Sequence, residues 1–444
     1  MAILCIDFGT SSVRAAVGDS NESIPLVLDE NSKIDNASIP SAICLSADKN
    51  TIYLGTKAVI ESAKISAAGH YEKSPKRFLS EANFPEVHTP MFAGCSLSKE
   101  TLIAAFVSYA GHKCRLKGKT ELGRRQISET RISHPVFAKA HKESTKIFYR
   151  RLERLVSEGA GHEISEEISV AALIRWGEKW LKPGARPSSA IRIDVEEPVA
   201  AAVKLVKNPR TNQIGRTLVV DIGAGTVDFV TFNTVTPAEE SKEQRLIMAP
   251  AHEPASFWKA GDEIDRILLG IIKRKLGSTF ASKSRRIFNE IRLVKERVFE
   301  ENSITYDGIR LTLSELEKEP EFIEMMNEIR EAIFKKMNTI PPTASGFAID
   351  SKLTFVFSGG GAGITAIRSA AHSAARDANR SMVAAEMPKS SVDKNALRKY
   401  AVDANLERLA VAMGGVTEAR DWPRESAREL RYFGLAGQKF KPKS

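Results

Sequence analysis

One pattern written twice constrains this chain more than anything else in it. AILCIDFGTSSVRAAV at 2–17 and TLVVDIGAGTVDFVTF at 217–232 each read as strand, turn and strand. In both, an apolar, β-branched run delivers one aspartate, Asp7 or Asp221, into a glycine turn, and a second apolar run returns. Glycine lets a turn backbone approach an anion, and successive N–H groups in such a turn form a concave anion-binding nest. Thr10, Ser11, Ser12 and Thr226 add hydroxyl donors. One aspartate per turn suits a hydrated magnesium ion carrying phosphates, because that hard cation keeps most of its water. The pairing implies a nucleoside triphosphate bound between two lobes.

A third element, LTFVFSGGGAGITAIRSAA at 353–371, runs an apolar strand into Gly359, Gly360, Gly361 and Gly363 and then a helix. Such a glycine stretch lets backbone lie flat against a planar group such as adenosine, although tight packing alone explains many of them. In this order the three elements resemble the phosphate-1, phosphate-2 and adenosine motifs of the actin-like ATPase superfamily. LDENSKIDNASIPSAICL…TIYLGTKAVIESAK at 28–64, EKSPKRFL at 72–79 and IRIDVEEPVAAAV at 191–203 resemble, more narrowly, segments of DnaK-type, seventy-kilodalton heat-shock chaperones. ERLAVAMGGVTEA at 407–419 is similar to the last helix of their ATPase domain.

That resemblance implies an α/β, actin-like ATPase fold of two lobes. Each lobe would hold a duplicated ribonuclease-H-like core and a smaller outer subdomain. Lobe I is expected over 1–208, with core 1–38 and 126–208 and outer part 39–125. Lobe II is expected over 209–444, with core 209–258 and 345–420, outer helical part 259–344 and a short basic tail 421–444. No peptide clamp is expected, so the chain resembles short, clampless bacterial relatives.

Carried over position by position, Asp7 and Asp221 resemble the magnesium-shell aspartates. Thr10, Ser11 and Ser12 resemble the first phosphate clamp, and Gly223, Ala224, Gly225 and Thr226 the second, with Ala224 in place of a family glycine. Lys76 resembles the lysine that reaches the γ-phosphate, with Arg77 as the rival register. Glu197 resembles the carboxylate that positions water, with Glu196 as its rival, and Asp228 the second carboxylate of its hairpin. Lys295 aligns with a ribose-contacting lysine, and Gly359, Gly360 and Gly361 with the adenosine loop. The family's serine and base-stacking arginine are replaced by Gly361 and Gly363, and an arginine after the lysine by Glu296. Pro135 stands where the chaperones signal to their clamp.

The implied activity is slow, magnesium-dependent ATP hydrolysis, with ATP and ADP as ligands and an unidentified protein partner for the switch. An actin- or MreB-like filament protein and a small-molecule kinase of the same superfamily are the alternatives. Four cysteines without paired spacing argue against a disulfide framework or zinc site. MAILCIDFG lacks the basic start of a signal peptide, and no apolar run spans a bilayer. A soluble, cytoplasmic monomer is expected. The net charge of +10 is partly clustered at 111–125 and 273–286, and without interleaved aromatics these clusters read as solvated helix faces rather than a nucleic-acid site. GHKCRLKGKT at 111–120 mimics a phosphate-binding P-loop, but its glycine spacing is wrong and no strand precedes it. In DEIDRILLGIIKRKLG, Ile264, Ile267, Leu268, Ile271 and Ile272 recur at helical spacing.

Overall fold

The computed structural model describes residues 2–19, 22–30, 36–65, 70–79, 83–134, 142–157, 164–181, 195–206, 215–235, 247–250, 255–257, 259–338, 352–378, 381–385 and 406–416. Pro135, positions 207–214 of the turn-rich stretch KNPRTNQIGR at 207–216 where the chain is expected to cross between lobes, the stretch PPTASG at 341–346 expected to lead back to the adenosine strand, and the basic tail 421–444 lie outside the described residues.

The first hairpin forms where the doubled pattern predicts it. β1 (Ala2–Phe8) and β2 (Ser12–Gly18) pair antiparallel with Phe8 opposite Val13. β3 (Ser23–Pro25) and β4 (Ser38–Pro40) both pair with β2. The chain then builds a smaller sheet from β5 (Ile43–Leu45), β6 (Thr51–Leu54) and, after helix α1 (Gly55–Ser62), β7 (Tyr71–Glu72). A 3₁₀ turn at Pro75–Leu79 carries the EKSPKRFL lysine. Helix α2 (Lys99–Leu122) starts at Ser98, whose side chain accepts from the Thr101 N–H, and it contains the P-loop mimic. β8 (Ile127–His134) returns parallel to β1, followed by α3 (Lys142–Ser157). β9 (Glu167–Ser169) pairs with β6, α4 (Val170–Trp180) follows, and β10 (Val195–Glu196) runs parallel to β8 into α5 (Glu197–Val206). β9 joins the smaller sheet, and α2 lies against β1 and β2.

The second half repeats the plan. β11 (Gly215–Ile222) and β12 (Val227–Val235) form the second hairpin, joined by β13 (Ile247–Pro250) and β14 (Ala255–Phe257). Helices α6 (Gly261–Leu276) and α7 (Phe280–Glu301), the hairpin of β15 (Ser303–Tyr306) and β16 (Ile309–Thr312), and helices α8 (Leu313–Leu316) and α9 (Pro320–Asn338) follow. β17 (Lys352–Ser358), α10 (Thr365–Asp377), β18 (Ser381–Ala385) and α11 (Ala410–Gly415) end the described chain. One sheet runs β3-β2-β1-β8-β10 and the other β13-β12-β11-β17-β18. In both, the first three strands of the half are antiparallel and the last two parallel to the first. The fold is thus mixed α/β with two mixed sheets of one topology.

Strand alternation decides what each sheet faces. Leu4, Ile6 and Phe8 join the core under α2 and α3, whereas Ile3 and Cys5 join a different core with Val219, Val356 and the small residues of α5 and α11. On β11, Leu218, Val220 and Ile222 likewise turn outward to α6, α7, α9 and α10, leaving Val219 on the inner face. By parity Asp7 continues the face of Ile3 and Cys5, and Asp221 that of Val219. The two aspartates therefore lie on the facing sides of the two sheets. Between the sheets, α5 and α11 cross at backbone distance, because a Cβ on Gly414 would sit 1.8 Å from the Ala200 carbonyl oxygen. In α6 the residues at helical spacing, Ile264, Ile267, Leu268, Ile271 and Ile272, are all buried. Among the described residues no helix is long and apolar enough to cross a membrane, and all four cysteines are buried and unpaired.

Candidate functional site

Asp7 and Asp221 close the inner faces of β1 and β11, both buried, one at the mouth of each glycine turn. Parity brings each a serine from the neighbouring parallel strand. Ser133 Oγ on β8 donates to Asp7 Oδ1 at 3.0 Å and reaches Glu197 Oε1 at 3.4 Å, while Ser358 Oγ at the end of β17 donates to Asp221 Oδ1 at 2.6 Å. Glu197 opens α5 and forms a buried ion pair with Lys76 from the Pro75–Leu79 turn. Arg77 instead pairs with Glu72 at 2.8 Å and stacks over Phe78. Of the two register candidates, the buried one against Glu197 is Lys76.

Three buried carboxylates thus share one lysine, and burial raises the cost of charging them. Burial is the main cause of the upward shift at Asp7, with Lys76, Arg14 and the Ser133 hydrogen bond opposing it. Burial also raises Glu197, against Lys76, and the charges of Asp7 and Asp221 add to the rise. Asp221 is pushed up to about 7, chiefly by burial, with Ser358 opposing and Asp228 and Asp7 adding. The two hairpins differ at the residue opposite the aspartate. Across the ladder Asp7 faces Arg14, whose charge opposes the rise, and Asp221 faces Asp228, whose charge adds to it.

The turns themselves present unused donors. The amides of Thr10, Ser11, Ala224 and Gly225 enter no hydrogen bond among the described residues, and the buried Ser12 hydroxyl has no partner. A Cβ on Gly225 would meet nothing within 4 Å, so this side of the turn is open. The Gly223 N–H differs from expectation: it closes its own turn on the Thr226 carbonyl at 2.8 Å. Thr226 Oγ1 donates to Asp228 Oδ2 at 3.1 Å. In the adenosine loop, Gly359 takes a φ of +82°, and a Cβ there would stand 2.4 Å from the Ile222 carbonyl oxygen and 2.8 Å from Asp221 Oδ1. Gly361 also differs from expectation, since it is buried against Ile222 and its N–H is bonded to the Ile222 carbonyl at 3.0 Å. Gly360 is exposed.

Lys295 Nζ on α7 bonds to the Gly261 carbonyl at 2.8 Å and Asp265 at 2.7 Å, immediately behind Ala224. One turn earlier on α7, Arg292 reaches across to the first half of the chain. It donates to the Lys73 carbonyl at 2.7 Å and Ser74 Oγ at 2.6 Å, and pairs with Asp262 at 3.2 Å. Sequence reasoning missed Ser133, Ser358 and Arg292. Strand parity was a usable signal for the two serines, but nothing local marks Arg292.

Among the described residues no three His, Cys, Asp or Glu side chains are grouped closely enough to grip an ion directly. The donors do fit a divalent ion held through its own water. Asp7, Glu197 and Asp221 are buried with too little positive charge, and unpaired N–H and hydroxyl donors flank them for the phosphates such an ion would carry. No family model matches the chain, and no curated protein matches it in sequence.

Proposed function

We propose that this protein is a magnesium-dependent ATPase with an actin-like arrangement of two lobes, hydrolysing ATP slowly as a nucleotide-driven switch for a protein partner. The observation that carries the reading is the convergence of Asp7, Glu197, Asp221 and Lys76 from both halves, between two glycine turns with unused donors. The duplicated sheet topology and the resemblance to the DnaK-type chaperones support it. The protein is read as a chaperone-like ATPase unit.

In this reading the free amides of Thr10, Ser11, Ala224 and Gly225, with Ser12 Oγ, cradle the phosphate chain. Asp7 and Asp221 would hold a magnesium ion through its water, and that ion would supply charge neutralisation of the phosphates. Lys76 Nζ, directed by Glu197, faces the terminal phosphate, and Glu197 orients the attacking water. The proton that this water loses would pass to the carboxylates of this cluster, which are charged once the cation is bound. Phosphoryl transfer of this kind requires positioning and electrostatics more than covalent participation by the protein. Lys295 behind the second turn and the exposed Gly360 flank the space assigned to the nucleoside. Closure of the lobes on nucleotide then alters the outer surface that a partner reads.

A single-turnover assay tests the chemistry. Excess protein with ATP and magnesium should convert ATP to ADP in one slow exponential phase that chelator abolishes. Absence of ADP formation above the rate of ATP alone would remove the enzymatic part of the reading.

A further inference from the structure

We propose that the cavity between the smaller sheet of the first lobe and α7 is a second binding site, one that takes a small aromatic phosphate. The cavity measures about 440 Å³, within the range of small-molecule sites. Its walls come from both halves of the chain, and Asp7, Lys76 and Asp221 do not line it. Lys73, Arg77 and Arg285 face it together with a single carboxylate, Glu72.

That carboxylate is already engaged. Glu72 Oε2 takes Arg77 at 2.8 Å and its Oε1 accepts the Ser74 N–H at 2.7 Å. Lys73 has only a long 3.8 Å ion pair with Asp265, and burial holds its pKa below the usual lysine value. Arg285 enters no hydrogen bond or ion pair among the described residues, whereas its neighbour Arg286 is tied to Asp307. The excess of cations over carboxylates matches the double negative charge of a phosphate monoester, and arginine is suited to its planar, bidentate recognition.

The aromatic half of the ligand follows from the remaining wall. Phe288 is 49% exposed, and its ring lies in an edge-type arrangement with Phe280 at 6.4 Å between centroids. Tyr71 lines the same cavity from the other lobe. A solvent-facing phenylalanine beside an unpaired arginine fits a ring carrying an anionic group better than it fits a bare inorganic ion. Such a ligand would touch both lobes and favour their closed arrangement.

The test uses phenyl phosphate as probe on the full chain without nucleotide, followed by calorimetric titration, with inorganic phosphate and benzyl alcohol as the charge-only and ring-only arms. Saturable binding of phenyl phosphate, tighter than either arm, is expected. Arg285→Glu should weaken it roughly tenfold to a hundredfold, the loss of one charge-assisted contact. Phe288→Ala should remove the preference over inorganic phosphate, and Arg286→Ala should change nothing. Arg285 and Phe288 lie outside the nucleotide machinery, so Mg-ATP binding should be unaltered in both variants, which separates failure here from failure of the ATPase reading. The proposal is overturned if phenyl phosphate does not saturate, or if its affinity is the same in Arg285→Glu and Phe288→Ala as in the wild type.

Discussion

Binding of Mg-ATP should expel protons from the cleft, by an amount that depends on pH in a defined direction. Asp221 titrates near pH 7 in the folded protein, because burial and its neighbours Asp228 and Asp7 disfavour its charge. Asp7 and Glu197 are shifted the same way. A divalent cation reverses that preference, so carboxyls that are protonated in the free protein become charged in the complex. At pH 7 Asp221 alone would then release about half a proton per nucleotide bound, and Glu197, pushed up to about 8, adds to it. The release should shrink toward zero by about pH 9, where the free protein has already lost these protons. Calorimetric titrations in two buffers of different ionisation enthalpy measure the number directly. Ser358→Ala removes a hydrogen bond that favours the charged Asp221, so it should move the profile to higher pH. Tight binding with no proton release between pH 6 and 8 would refute the electrostatic account of the cluster.

The same groups set the stability of the free protein. Their folded-state pKa values lie above the unfolded ones, so the native state binds the extra protons. Its unfolding free energy should fall as pH rises from about 5 through 7, by up to about 1.4 kcal/mol per pH unit for each of Asp221 and Glu197, the melting temperature should fall with it, and Mg-ATP should flatten the curve; melting scans at fixed pH steps measure both. Lys76→Ala should cut single-turnover hydrolysis by at least about a hundredfold with ADP affinity nearly unchanged, while Arg77→Ala should hydrolyse normally; the reverse pattern would shift the register by one residue. Gly414→Ala should destabilise by about 1–3 kcal/mol in denaturant titration, because its Cβ would sit 1.8 Å from the Ala200 carbonyl oxygen. Gly225→Ala, with nothing within 4 Å, should leave stability within about 0.5 kcal/mol. Sedimentation with Mg-ATP should leave the protein in the supernatant, and nucleotide-dependent pelleting would favour the filament alternative.

The sheets were legible in the sequence because their inner strands are buried on both faces. AILCIDF and TLVVDI are therefore continuous apolar runs whose single charged residue has to be placed deliberately. α6 was legible for a different reason, its five apolar residues at helical spacing. The β15–β16 hairpin was not anticipated, although Asp307-Gly308 carries the signal. Both residues take positive φ, 52° and 83°, as a two-residue hairpin turn requires. β9 was beyond reach, because Glu167–Ser169 is too short to show a period and its pairing with β6 is set by the tertiary fold. In the site, the turn chemistry pointed to Asp7 and Asp221, but the donors of Gly223 and Gly361 are consumed inside the protein. Only three-dimensional closure reveals that. Lys76 and Arg77 were indistinguishable by sequence, since a 3₁₀ turn gives adjacent residues no fixed face; burial against Glu197 separates them.

The central claim is a single Mg-ATP site assembled from both halves of the chain. Equilibrium titration of ATP into the purified protein, once with magnesium and once with chelator, tests it most directly. The account predicts saturable binding of one nucleotide per chain with magnesium, and affinity at least about tenfold weaker without it, the equivalent of about 1.4 kcal/mol. Equal affinity in the two titrations would contradict the roles given to Asp7 and Asp221, and no binding in either would contradict the site itself.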